Sequence, residues 1–530
     1  MMLRKSIVVM AALASGAGVA HAGDKPLYVP VPAWVKPAPP LDASKLTDAD
    51  PIMLVLDQQR RFENGQEWGY IDMAMRIASP QLLTQAGTVP LPWDPAKGDL
   101  MIHQVEIIRG TERIDALKGG KQFQVIQRER QLERAWLNGQ LTATLPVEGL
   151  RVGDVLRVVF SITSKDPALQ GHVQAASPLM ADPMRMQFGR IRMLWPKAMK
   201  LRWLAHTKVP DIQPVPLADG FQELSIQLPV AKPAESPDDA PLRFRALPLF
   251  EASDYADWSQ LSREMVQLYG TQGTIAAGGP IAAEVARIAA ATSDPRQRAA
   301  MALQAVQDKV RYLFKGMENG NYVPQTPADT WSLRYGDCKA KTLLLVAMLR
   351  ELGIEAEPVL VNSELGDLTP KRLPMPGAFD HVIARAVIGG ESLWLDGTGG
   401  GSRIEDLGDV PPFRWALPLR AGGADLIEMP MRANARPMTD AEIELDGRAG
   451  VLFPMPYTAR ITLRGAAAEM LRVTAGQSDK KELDKRIDNI LEGFLDESET
   501  VARSFKYDEA TASAVLTASG VTYPDWEKEN

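Results

Sequence analysis

One helix start constrains this chain more than any other feature. Gly336-Asp337-Cys338 is followed by Leu343, Leu344, Leu345, Val346, Met348, Leu349 and Leu352, and Gly353 closes the run. Asp is a good N-cap, a glycine before it permits a tight turn, and a glycine after the last apolar residue suits a C-cap. A helix that is apolar nearly all round must be buried on every side, so the chain has to build layers around it. Cys338 is the only cysteine in 530 residues. At the first turn of a helix its sulfur meets the positive end of the dipole, which favours the thiolate, the form that attacks carbonyl carbon.

Two further residues fit that chemistry. His381 to Ile388 and Glu391 to Asp396 read as strands joined by Gly389-Gly390, a favoured two-residue turn. Such a loop sets Ile388 opposite Glu391 and Ile383 opposite Asp396. His381 shares a face with Ile383, because strand side chains alternate. His381 and Asp396 become diagonal neighbours, roughly 7–8 Å apart at the backbone. A carboxylate there holds one imidazole nitrogen while the other serves a thiol. A slip of one residue would put the pair on opposite faces.

Gly336-Asp337-Cys338-Lys339, Phe379-Asp380-His381-Val382 and Trp394-Leu395-Asp396-Gly397-Thr398 resemble, in order and spacing, the three catalytic blocks of the transglutaminase-like superfamily. The resemblance covers about residues 280–400. It implies a papain-like core with Cys338, His381 and Asp396 as its catalytic triad. The N-terminal half, through Leu150 to Phe160, resembles a bacterial domain of unknown function of the DUF3857 type, which precedes this core in many envelope proteins. Three positions depart from the family pattern. Ala340 stands where Asp is common, Asp380 where Asn is common, and Gly397 where Pro is common. Asp380 would add negative charge beside His381 and raise its pKa.

The whole chain is long enough for three or four domains. At 45% hydrophobic and 24% charged residues it has a globular composition. Net charge is −7, and removing Arg4 and Lys5 with a leader would make it −9. That argues against a nucleic-acid partner bound through phosphates. Residues 1–22 read as a signal peptide: a basic start, a short apolar stretch from Ser6 to Val19, and the small-x-small site Ala20-His21-Ala22. The expected location is the periplasm or the exterior, with cleavage near Ala22. A lone cysteine in an exported chain forms no internal disulfide, so its thiol needs an explanation. No later segment is apolar enough over sufficient length to be a transmembrane segment.

Prolines at 26, 30, 32, 37, 39 and 40 make residues 23–50 an extended tether. Short alternating segments with turn punctuation at Gly119-Gly120 and Asn138-Gly139 make 51–240 a β-sandwich. His103, His172 and His206 are scattered there without ligand spacing. No metal motif is present, and Gly399-Gly400-Gly401 lacks the context of a phosphate loop; neither cofactor nor metal is expected. Helical spacing follows over Trp258–Tyr269, Ile281–Ala291 and Pro295 to about Phe314, helices that would cover the cysteine helix within a core of residues 250–425. The irregular stretch 316–337 would wall the thiol, with Trp331 as a cleft or packing residue and Tyr322 or Gln325 as an oxyanion donor. Residues 426–530 read as a small α/β region, β-rich and possibly incomplete, with Ser478 capping one helix whose Leu483, Ile487, Ile490, Leu491 and Phe494 share a face. The fold class is thus α+β: an N-terminal β-sandwich, a papain-like transglutaminase core and a small C-terminal region. The expected function is acyl transfer or hydrolysis at amide bonds of a protein or peptide substrate through a thioester. The alternative is a catalytically inactive scaffold with an envelope partner. Oligomeric state is not legible.

Overall fold

Long alternating segments build the N-terminal half. Met53–Glu63 and Gln66–Arg76 form a hairpin across Asn64-Gly65, both left-handed as a type I′ turn requires. The hairpin sits centrally in a nine-stranded sheet with Val155–Ser164, Leu100–Arg109, Met186–Pro196 and Phe221–Leu228. Two three-stranded sheets lie against it. One closes a core through Val89, Leu91, Trp93, Ala143 and Leu145. The other does so through Ala175, Phe250 and Ala252. This is a computed structural model, and it describes residues 23–127, 140–210, 212–313, 321–450, 452–495 and 497–524. The expected leader (1–22), the Asn138-Gly139 turn, and Gly316 and Gly320 lie outside the described residues.

The proline-rich segment expected as a tether is a docked strap. Proline keeps it extended, but the carbonyls of Trp34 and Lys36 accept from Arg192 and Arg190, which sit on strand Met186–Pro196. Those guanidiniums are themselves held by Gln59 and Asp57. Leu27–Tyr28 pairs in parallel with Met101 and Ile102, and Val35 and Leu41 are buried.

The second small sheet joins the two halves of the chain. Its order is Gln174–Pro178, Leu249–Ser253, Arg202–Ala205. Glu251, fully buried at its middle, accepts from His206 at 2.8 Å and from Arg372 at 2.8 Å. Arg372 then donates to the carbonyls of Ala378 and Gly377, just ahead of His381. Ser253 Oγ donates to Pro374 O at 2.7 Å.

In the core, Cys338–Glu351 is a helix buried from Cys338 to Leu349. Gly353 at φ +76° ends it, and Ile354 N–H returns to Leu349 C=O at 2.9 Å, the Schellman closure. Helices Pro280–Ala291, Pro295–Lys309 and Pro327–Leu333 pack on one side of it. On the other side lies an antiparallel sheet in the order Glu391–Leu395, His381–Ile388, Glu355–Val361, Trp415–Pro418, Ile427–Glu428. The helix expected to run to Phe314 stops at Lys309. Val310 turns extended (φ −123°), and Arg311–Tyr312 pairs with Tyr335–Gly336.

Residues 439–522 fold as a four-stranded sheet carrying two helices, Gly465–Gln477 and Lys480–Leu491. The first of these was not read from the sequence. Ser478 ends it, and Asp479 rather than Ser478 caps the second, accepting from Glu482 N–H at 2.9 Å. Phe494 lies beyond the helix and is exposed. Among the described residues no helix is long and apolar enough to cross a membrane.

The Glu251 clip gives a first prediction. Burial pushes the Glu251 carboxyl up, but His206 and Arg372 outweigh it and hold it below its ordinary value. Its stabilisation is therefore present above about pH 4.5 and lost as pH falls through the lower folded value. Glu251→Leu strands a buried guanidinium and should cost about 3–5 kcal/mol. Thermal melts near neutral pH should show this loss, and the gap to wild type should shrink in acid.

Candidate active site

The site begins at the helix start. Asp337 Oδ1 accepts from Ala340 N–H at 3.0 Å. Its Oδ2 pairs at 2.5 Å with the fully buried ammonium of Lys339. Gly336 is needed for space rather than for a left-handed turn: a Cβ there would stand 2.8 Å from Ala340 Cβ and 3.1 Å from Thr330 Cγ2. The same contact accounts for the small residue at 340. Cys338 is the first residue of the helix and is wholly buried.

One turn on, Thr342 Oγ1 donates to Val382 C=O at 2.9 Å and fixes the helix to the histidine strand. That strand forms the expected hairpin, with Ile388 opposite Glu391 and Ala384 opposite Leu395. Gly389 and Gly390 both have positive φ. Asp396 follows directly, and its Oδ2 lies 2.9 Å from His381 Nε2. Its Oδ1 accepts from Thr398 N–H and Oγ1 at 2.8 and 2.7 Å. Cys338 lies beside the same imidazole and adds to its hold on the proton, and Phe413 meets the ring edge-on at 5.6 Å. The fold therefore brings Cys338, His381 and Asp396 together.

Burial alone would push His381 down. The charge and hydrogen bond of Asp396, with those of Cys338 added, reverse this and lift it well above 6.5. Burial would push Asp396 up, and His381 and Thr398 hold it below its ordinary value. Asp380, expected to raise His381, is not among the groups that chiefly set it. Its carboxylate accepts from Ser363 N–H and Oγ at 2.7 and 2.8 Å instead, and successive strand side chains point to opposite faces.

The surroundings differ from the sequence expectation. Trp331 is a core residue, buried with Leu344 and Leu345, with Arg334 4.3 Å over its ring. Tyr322 OH is engaged by Gln174 Nε2 at 2.7 Å. Gln325 lines a small hollow with Gly336 and Asp337, and its Nε2 is buried without a partner among the described residues. Two phenols missed from sequence feel the thiol. Burial pushes Tyr269 and Tyr312 up, and charge on Cys338 and Asp337 adds to it. Tyr269 OH is buried without a hydrogen-bond partner among the described residues. It sits where a predicted amphipathic helix ends, and nothing in the pattern marks it. Lys341 was also missed: it donates to Val310 C=O at 2.6 Å, and burial pushes it down to about 8. The signal was available, since two lysines stand inside a helix that has to be buried. His103, His172 and His206 bond Ser161, Asp254 and Glu251.

Between the N-terminal half and the core runs a cleft of about 690 Å³. Gln174, Ala176, Arg60, Tyr322, Phe379 and Asp380 are among its walls.

Residues 283–370 match the transglutaminase-like superfamily, a span that holds Cys338 and stops short of His381 and Asp396. The middle of this chain is a transglutaminase-like domain. Residues 63–234 match the domain of unknown function DUF3857. Among solved structures the chain is similar to a protein of Parabacteroides distasonis ATCC 8503 described as a "putative protease". Identity is 12% and the TM-score 0.57, over 89% of this chain and 93% of that one, which is a likeness of fold. A "putative cysteine protease" of Cytophaga hutchinsonii matches at 13% identity and a TM-score of 0.20, over 43% of this chain and 75% of that one, too weak for argument. No curated protein matches the chain. The chain thus shares the fold of the Parabacteroides distasonis protein around a transglutaminase-like domain.

The charge state of the pair gives a second prediction. A raised His381 contributes stability fully below about pH 6.5, lost as pH rises through its higher folded value. A lowered Asp396 contributes above about pH 3.8, lost as pH falls. The margin by which wild type outlasts Asp396→Asn in thermal melts should be widest between those values. In proton NMR titrations the His381 ring should stay protonated well above pH 6.5 and move down in Asp396→Asn. An ordinary His381 titration in the wild type would refute the assignment.

Proposed function

We propose that this chain is an exported cysteine enzyme of the acyl-transfer class, acting on amide bonds of protein or peptide substrates. The observation that carries the reading is the Asp396–His381 hydrogen bond set beside Cys338 at a buried helix start. In the proposed reaction the Cys338 thiolate attacks the amide carbonyl carbon. The C–N bond breaks, and His381 gives its proton to the leaving amine. Water or a second amine then attacks the thioester, passes a proton to His381, and releases the thiolate. Asp396 keeps the imidazole oriented and offsets its charge. The oxyanion would lie near the Cys338 N–H, and Tyr269, a neutral phenol beside the thiol, is the side chain best suited to assist.

One observation favours a second reading, a non-catalytic envelope scaffold: the Cys338 sulfur has no exposed surface. Cys338→Ser separates the two. It changes one atom, so the melting temperature should hold, while acyl transfer or cleavage on glutamine-containing peptides should fall by several orders of magnitude because a hydroxyl is not ionised near neutrality. Asp396→Ala should lower the rate roughly 10²–10⁴-fold. Full rescue of a null-allele host by Cys338→Ser would establish the scaffold.

Export rests on the leader-like residues 1–22. N-terminal sequencing of protein from its native host should return Gly23 as the first residue; Met1 would refute export.

A further inference from the structure

The sheet that joins the two halves has an unpaired edge, and that edge faces the cleft. Among the described residues Gln174–Pro178 pairs only with Leu249–Ser253. Val173 C=O accepts from Asp254 N–H at 3.3 Å, and Leu179 N–H donates to Pro248 C=O at 2.8 Å. Odd-numbered residues thus turn their main-chain groups to the partner strand. Alternation leaves Gln174 and Ala176 with N–H and C=O on the open side. Among the described residues the outward carbonyl of Ala176 is met only distantly, by Arg60 at 3.5 Å. Pro178, which has no N–H, ends the strand.

The position of the edge matters as much as its vacancy. Gln174 Oε1 accepts from Gly377 N–H at 2.8 Å, and its Nε2 donates to Tyr322 OH. Gly377 lies four residues before His381, and Phe379 and Asp380 continue the same wall. The edge therefore leads from the sheet half toward the histidine. Exposed edges of this kind are blunted in most proteins by charge, a bulge or a cover. Among the described residues Ala175, Ala176 and Ser177 carry no such device, and Ala176 is exposed.

We propose that the edge strand Gln174–Pro178 binds an extended peptide segment of the substrate by strand addition, using the main-chain groups of Gln174 and Ala176. The sheet half then belongs to the substrate site rather than standing beside it. The recognition is of backbone, with little demand on sequence. The proposal rests on the enzyme reading for its substrate but not for its test.

The test uses the full chain carrying Cys338→Ser, so that no turnover intervenes. The probe is fluorescein-labelled, carboxymethylated β-casein, an unfolded polypeptide. Ala176→Pro removes one outward N–H at an edge position that tolerates proline. Binding by anisotropy should weaken at least about tenfold, equivalent to about 1.4 kcal/mol, with the melting curve unchanged. Should Ala176→Pro fold poorly, amide exchange in the parent decides. Added casein should slow exchange at Gln174 and Ala176 and leave Ala175 and Ser177, already paired, as they were. Equal affinity in a well-folded Ala176→Pro, or no casein-dependent protection, overturns the proposal. Protection that rises with protein concentration alone does so too, since the occupant would then be a second copy. If protection appears while wild type turns over no casein, the groove stands and the enzyme reading falls.

Discussion

Everything in the core follows from a helix that leaves no face to water. Each residue from Cys338 to Leu349 is buried, including Lys339 and Lys341. Leucines explain most of this, but two ammonium groups inside a protein are costly unless their charge is met. Lys339 meets Asp337, the residue that also caps the helix. Lys341 donates to Val310 C=O, at the point where the preceding helix gives way to the short strand pair beside the thiol. The polar residues of the motif thus do structural work at the entry of the helix. They set where the helix begins, and so where the sulfur stands.

The histidine is placed by a different route. Its strand is tied to the helix by Thr342 and to Asp396 by the hairpin register. Its N-terminal approach is tied to the sheet half by Arg372, which joins Glu251 to the carbonyls of Gly377 and Ala378. A buried ion pair adds little net stability over a well-packed apolar pair, but breaking one is expensive. The effect of such a clip is therefore on geometry: the segment leading to His381 cannot shift without stranding Arg372. The proline strap acts likewise on the opposite end, where Arg190 and Arg192 would be under-satisfied without the carbonyls of Lys36 and Trp34.

What could be read from the sequence was what local rules control. The hairpin register came from two glycines and the period of a strand, and the helix from its apolar run and its caps. The covering helices came from spacing and start signals, and only the last ran too long, because pairing of Arg311 and Tyr312 with Tyr335 and Gly336 is non-local. The rest depended on contacts between distant segments. Nothing near Glu251 reveals that it meets His206 and Arg372. Tyr269 reaches the thiol only once its helix is docked. Asp380 was misread because its partner, Ser363, is 17 residues away. The strap was misread because prolines report extension and are silent on what the carbonyls will find.

An enclosed thiol is compatible with acyl transfer if opening is inexpensive. The residues packed into the same cluster as Cys338 include Ala168 and Leu169, on a short 3₁₀ turn of the sheet half. The hairpin, the helix and the Glu251 clip are not part of that cover. Exposing one such side chain costs about 1.5–3 kcal/mol, and a substrate lying in the cleft would bury it again. A closed state favoured by that amount lowers apparent affinity by the populated fraction of the open one and leaves the chemical step untouched. Enclosure also keeps water from the pair, and a low dielectric there strengthens the attraction of Asp396 for a protonated His381. Enclosure and charge separation at this site are thus two consequences of one burial, since the walls that hide the sulfur are those that make the carboxylate effective.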